Sequence, residues 1–359
     1  MNKLKSPQSA KHPTSEADGF SRRGFLAGAG SCGAHLLWLS ATGSVTRQVF
    51  AAESGNKILA EEPWGRLEQL VDGVWAIIST PLEANDWTTL CNGGIIAGQN
   101  GVLAVESFAS AEGARWAAEQ ARELTGRWPT DVVVSHYHGD HANGVTGFAH
   151  DGDKPRIWMT EATRETLLED RGQNSGRGDE SARTALYESA SIIDAEAGET
   201  IDLGGRKVRL EPRAGHTESD VTIEVEDPSV VFYGDLLWNR MFPNFRDTTP
   251  SVLEKNIRAT MRERETFYVP GHGPMADVAD VEAMLAVLAE VEAAARKTFG
   301  TDMTADETGK LFKLPESMGE WTRFSDNYYQ VAMGAWHKEL ALARKQNPSQ
   351  SAKESDPET

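Results

Sequence analysis

Within residues 136–141 the chain places three imidazoles and one carboxylate, His136, His138, Asp140 and His141, directly after the apolar run 132–134. In extended backbone, residues two apart project to the same side, so His136 and His138 can bind one metal ion. If the chain then turns into a helix, Asp140 and His141 swing toward a second, neighbouring ion. Mixed imidazole and carboxylate ligands suit zinc, with iron or manganese as substitutes. Three later segments supply what such a site lacks. Gly215-His216-Thr217 offers another imidazole after a strand-like stretch that ends near Leu210. Phe232-Tyr233-Gly234-Asp235 ends an apolar run on a carboxylate suited to bridging two cations. Pro270-Gly271-His272-Gly273-Pro274 follows another apolar run, and its glycines permit a tight turn around His272. A lone histidine after a strand is more often a hydrogen-bonded core residue. Seven ligand-type residues, each just past a strand, form a pattern that surface decoration does not explain.

Two divalent ions about 3.5–4 Å apart would hold a bridging water and lower its pKa toward neutrality. The resulting hydroxide is then the nucleophile, and neither serine nor cysteine is required. Asp140 is the expected catalytic residue, orienting that hydroxide and passing its proton on.

The elements that must position these groups read as a layered α/β pattern. Residues 65–80 alternate like two strands joined at Asp72-Gly73, a hairpin signal. Residues 92–97 and 102–105 form a second pair, 114–124 has helical spacing, and 131–134 reads as a buried strand. Residues 157–159 read as a strand and 184–192 as a helix, with a charged Gly-rich loop at 171–179 between them. Strands are expected at 200–211, 221–225 and 230–233, and helices at 252–264, 278–298 and 326–345. Strands and helices interleave in two successive halves, which predicts helices covering both faces of two packed sheets.

The chain has 359 residues, 36 Lys+Arg against 54 Asp+Glu, and a net charge of −18. Six basic and two acidic side chains lie within 1–51, so the remainder carries −22. A body so acidic repels phosphate backbones, which excludes nucleic acid as an expected partner. Cys32 and Cys91 are the two cysteines and build no disulfide framework. Ser-Arg-Arg-Gly-Phe-Leu at 21–26, a weakly apolar stretch, and small residues near Ala51 describe an export signal of the twin-arginine kind. Residues 1–51 are thus expected to be a signal peptide handled by the twin-arginine export machinery. Cleavage leaves no stable membrane anchor and a periplasmic or secreted protein, exported folded. A hydrolase domain is expected at 52–300, a helical extension at 301–345 and a disordered tail at 346–359.

The ordered set His136-x-His138-x-Asp140-His141, then His216, Asp235 and His272, resembles the metallo-β-lactamase superfamily of metallohydrolases over roughly residues 65–275. The resemblance implies a four-layer αββα sandwich with a dinuclear centre at one edge. Carried over by position, it implies one metal on His136, His138 and His216 and another on Asp140, His141 and His272, with Asp235 bridging. Zinc β-lactamases of the first subclass often carry arginine after the aspartate and cysteine at the bridging position, where this chain has His141 and Asp235. The subclass with both histidines generally lacks the bridging carboxylate. The full set here looks more like the glyoxalase II, lactonase and sulfatase branches. Flavodiiron proteins usually have glutamate where His138 stands, which disfavours an oxygen-reducing iron site. Asn143-Gly144 occupies the place of the family's usual paired glycines.

The expectation is therefore an exported hydrolase with two zinc ions per chain, attacking an acyl bond (lactone, thioester, ester or β-lactam) of a small molecule. The alternatives are a sulfate or phosphate ester hydrolase, an iron-dependent sulfur oxidoreductase, and a non-catalytic metal-stabilised periplasmic partner. Asn239 and Arg240, just after the Asp235 strand, are candidates for an anionic substrate group, although an exposed arginine is commonly only solvated. Trp87 is a candidate cap over substrate, against its reading as a core aromatic. Thr217, Ser219 and Asp220 are candidates to orient the ligand imidazoles, or else simply begin a strand. Cys91 reads as a small buried apolar residue. Trp321, Tyr328, Tyr329 and Trp336 give the extension enough apolar surface to dock on its own domain, or on another subunit in an oligomer.

Overall fold

A computed structural model of the chain describes residues 55–79, 86–150, 154–169 and 180–346. The expected export signal, the loop 171–179 and the tail from 347 lie outside the described residues. The first sheet has eight strands in chain order: β1 (Lys57–Glu62), β2 (Gly65–Val71), β3 (Val74–Ser79), β4 (Gly93–Ala97), β5 (Val102–Val105), β6 (Asp131–Val133), β7 (Arg156–Thr160) and β8 (Ser191–Ile193). Pairing is antiparallel from β1 to β5 and parallel from β5 to β8. The second sheet comprises β9 (Glu199–Asp202), β10 (Lys207–Arg213), β11 (Asp220–Val225), β12 (Val230–Phe232) and β13 (Phe267–Val269), in the order β13-β12-β11-β10-β9. Eight α-helices are described: α1 (Ala111–Thr125), α2 (Gly139–Ala142), α3 (Glu161–Glu169), α4 (Glu180–Glu188), α5 (Pro250–Thr260), α6 (Val278–Thr298), α7 (Ala305–Leu311) and α8 (Tyr328–Gln346).

The layers follow from side-chain alternation. Along β3, Trp75 and Ile77 join a cluster with Ala114, Ala117, Ala118 and Ala121 of α1. Their neighbours Val74, Ala76 and Ile78 join a different cluster with Leu210, Ile223 and Phe232 of the second sheet. On β5, Val102 and Ala104 go to the helices while Leu103 and Val105 go to the other sheet. A period of two thus gives the first sheet two buried faces. The second sheet does the same: Val231 and Tyr268 pack outward on Ile257 of α5, Leu285 and Leu288 of α6, and Met333 and Trp336 of α8. The result is the four-layer αββα sandwich. The C-terminal helices are part of that outer layer, because Trp321, Ala332, Met333 and Trp336 share one core with the second sheet.

Helix starts are locally encoded. Ser110 caps α1 by accepting the Gly113 N–H, and Asp277 with Asp280 forms a capping box on α6. The expected helix over 184–192 is corrected: α4 ends at Glu188, and Ser191-Ile192-Ile193 becomes β8, parallel to β7. The β-branched pair there completes the sheet edge, and pairing outweighs the helical spacing. β1 adds to β2 as an edge strand with exposed residues at both ends. Among the described residues, no helix is long and apolar enough to cross a membrane.

Candidate metal centre

β6 delivers the chain in extended form to His138, which caps α2 at φ −63°, ψ 145°. Residues 139–142 then wind into one helical turn. The expected switch from strand to helix is therefore present, and it sends the first two ligand candidates and the next two in different directions.

His136, His138, His216 and Asp235 form one group of facing ligand atoms, and Asp140, His141 and His272 another. In the first, His138 Nδ1 lies 3.1 Å from His136 Nε2 and 2.9 Å from His216 Nε2. Ligand nitrogens 2.0–2.1 Å from a tetrahedral zinc stand about 3.3 Å apart, so this spacing needs little adjustment to admit the ion. In the second, His272 Nε2 lies 3.2 Å from Asp140 Oδ2, and His141 Nε2 lies 3.6 Å from the same oxygen. Asp235 joins them. Its Oδ2 is 3.3 Å from His216 Nε2, and its Oδ1 is 3.1 Å from His141 Nε2 and 3.2 Å from His272 Nε2.

Each half of the site comes from both sheets. His136 to His141 follow β6 of the first, whereas His216 lies between β10 and β11, Asp235 follows β12 and His272 follows β13. Gly271 is required by space: a Cβ there would stand 2.1 Å from Asp235 Oδ1. Gly273 is required by conformation, with φ +93°, a region that side-chain-bearing residues rarely enter.

The electrostatics fit cations. Burial first, and the neighbouring imidazoles next, hold His136 neutral, well below the ordinary histidine range. Burial likewise lowers His216 to about 3. Burial also opposes charge on His272, yet Asp235 and Asp140 outweigh it and raise that imidazole to about 9. Asp140 is lowered to about 2: burial opposes its ionisation, but His141 and His272 favour it more strongly. The second group thus attracts positive charge, while His136 and His216 of the first offer neutral lone pairs. His141 Nε2 and Asp235 Oδ1 are buried without a hydrogen-bond partner. Orphaned donor atoms of these types, converging in two groups, are what divalent metal ions satisfy.

Sequence reasoning missed the groups that orient the ligands. Asp247 Oδ2 is 3.0 Å from His138 Nε2, Ser135 Oγ is 2.9 Å from His136 Nδ1, and Glu106 Oε1 is 3.2 Å from His141 Nδ1. In each case the ring's far nitrogen is left for the centre. Glu106 has a legible signal, a carboxylate immediately after the apolar strand β5. Asp247 has none.

Other expectations are corrected. Asn239, expected to meet an anionic substrate group, is buried, and its amide donates to the carbonyls of Pro274 and Met275, bracing the turn that carries His272. Arg240 turns its guanidinium to Asp280 of α6 at 3.4 Å, which offsets the charge it was to offer an anion. Trp87 is no core aromatic, being 49% exposed. Thr217 and Asp220 do not hold imidazoles: the buried Asp220 accepts the Thr217 N–H and hydroxyl at 2.8 and 2.9 Å and so shapes the His216 turn. The Ser219 hydroxyl instead meets Thr163 at 3.0 Å. Cys91 is fully buried, as expected, and its thiol donates to the Asp140 carbonyl.

Solved structures with a similar fold include a stereoselective inverting sec-alkylsulfatase from Pseudomonas sp., at 16% identity and a TM-score of 0.57. That match covers 82% of this chain and 52% of the sulfatase, so the chain spans about half the sulfatase's length. Metallo-beta-lactamases from Erythrobacter litoralis (17% identity, TM-score 0.49) and Hirschia baltica (15%, 0.48) match over 65% and 62% of this chain and 100% and 97% of theirs. The sequence profile of the metallo-beta-lactamase superfamily matches residues 88–281, more than half of the chain and all seven ligand candidates. With the sandwich, the strand-end ligands and this match in hand, the chain belongs to the metallo-beta-lactamase superfamily.

Proposed function

We propose that this protein is an exported, zinc-dependent hydrolase that cleaves an acyl bond (lactone, thioester, ester or β-lactam) of a small molecule. One observation carries the reading: the Asp235 carboxylate divides its two oxygens between two groups of imidazoles. His136, His138 and His216 would hold one ion, and Asp140, His141 and His272 the other, with iron or manganese as substitutes for zinc. Ions held there supply Lewis acidity toward a carbonyl oxygen and acidify a bound water.

The chain's own residues supply the rest. Asp140, ionised and partly open to solvent, accepts a proton at Oδ2 and hands it to the leaving group. Asp247, Ser135 and Glu106 stand against the outer nitrogens of His138, His136 and His141, so ring orientation is set before substrate arrives. Trp87, half exposed, is kept as a candidate cap over the substrate. The twin arginines at 22 and 23 support folded export to the periplasm or medium, and the acidic body supports a small-molecule partner rather than nucleic acid.

A second reading, sulfate ester hydrolysis, is favoured by one observation: the likeness to the sec-alkylsulfatase fold spans 82% of this chain. The discriminating experiment gives the zinc-loaded protein a chromogenic cephalosporin, a simple lactone, a thioester and an aryl sulfate, each with and without chelator. Chelator-sensitive turnover of an acyl substrate supports the leading reading. Turnover of the sulfate alone moves the assignment to the second, and co-purifying iron with no hydrolysis overturns both.

A further inference from the structure

The C-terminal segment reaches the rim of the metal centre. The Phe324 ring stands edge-on to His272, with centroids 5.2 Å apart at 83°, and edge-on to Trp238 at 5.7 Å. Trp238 itself lies 4.1 Å from His272. Phe324 is nevertheless 36% exposed, so the residue is partly open to solvent while its ring contacts the ligand imidazole.

This placement is built in. The Phe242 N–H donates to the Thr322 carbonyl at 2.8 Å and the Thr322 N–H returns to the Arg240 carbonyl at 3.1 Å, tying the segment to the loop that follows Asp235. Trp321 is buried beside it. Four residues after Phe324, Tyr328 begins α8. A partly exposed aromatic ring beside a polar cluster is poor design for a surface meant to stay wet. It suits a substrate with an apolar part and a polar reacting end.

We propose that residues 321–324 form one wall of the substrate pocket, with Phe324 contacting an aliphatic acyl chain. This rests on the acyl-hydrolase reading and names its substrate class.

Calorimetric titration of the zinc-loaded protein with hexanoate and with acetate tests it. Hexanoate is expected to bind at least about 10-fold tighter than acetate. Phe324→Ala should remove about 10-fold of hexanoate affinity, leave acetate unchanged and keep the full zinc content, whereas Phe324→Leu should retain the preference. Equal loss of both ligands in Phe324→Ala, or loss of zinc, would show that the ring only braces His272 and would overturn the proposal. The two readings fail separately. A hexanoate preference that Phe324→Ala abolishes, in a protein that hydrolyses no acyl substrate, keeps the wall and removes the bond assignment. Hydrolysis without any chain-length preference does the reverse.

Discussion

Glu106 Oε1 lies 3.2 Å from His141 Nδ1, with both side chains buried. The other Glu106 oxygen accepts the Ser135 N–H at 3.1 Å, so one carboxylate ties the end of β5 to both ends of the ligand loop. Its backbone sits at φ +70°, a conformation that a residue with a side chain adopts only when its surroundings enforce it. Glu106→Gln keeps the shape and removes the charge. Zinc affinity is expected to fall about 10- to 100-fold while the fold is kept. Competition with a chromophoric chelator measures the first, and circular dichroism the second.

Asp140 is the only member of the second group with a partly open side chain. For Asp140→Asn, turnover should drop by about 100- to 10,000-fold with the melting temperature little changed. A variant that keeps full activity would remove Asp140 from proton transfer.

Gly271 admits no side chain, because a Cβ would fall 2.1 Å from Asp235 Oδ1. Gly271→Ala must therefore displace either the bridging carboxylate or the His272 turn. Elemental analysis should find fewer than two metal ions per chain in this variant. Full occupancy would mean that the bridge tolerates a shift the close approach argues against.

Metal removal and pH are linked through His272. Its pKa in the folded, metal-free protein is about 9, above the ordinary 6.5. A raised histidine stabilises fully below pH 6.5, and that contribution, on the order of 3 kcal/mol, is lost as pH rises through 9. Asp140 runs the opposite way: lowered to about 2, it stabilises above pH 3.8 and the contribution is lost as pH falls through 2. Chelated protein should thus lose urea resistance between pH 6.5 and 9. Zinc-loaded protein should not, since the ion replaces the proton. Parallel declines in both forms would contradict the electrostatic account.

Much of the site is legible because it is local. His136 and His138 share a side by the two-residue period of extended chain, Asp140 and His141 leave it where the helix begins, and the glycines flanking His272 announce a tight turn. The two-faced burial of β3 and β5 comes from the same period. The ligand-type side chains at the strand ends, their order along the chain and the layered fold class are therefore legible in the amino-acid sequence.

What sequence could not carry is every relationship made across the sandwich. His138 meets Asp247 from 109 residues away, and Asn92 holds the Pro270 carbonyl from 178 away. Nothing in the neighbourhood of Asp247 marks it, and nothing near Asn239 says that its amide is spent on the His272 turn. The same holds for β8, whose helical spacing yields to pairing with β7, and for Phe324, which reaches His272 only through its backbone tie to the loop after Asp235. Side-chain periodicity is a property of a few consecutive residues. Which side chains face one another at a strand end depends on how two sheets stack and which loops they bring together, and that is decided only when the chain is folded.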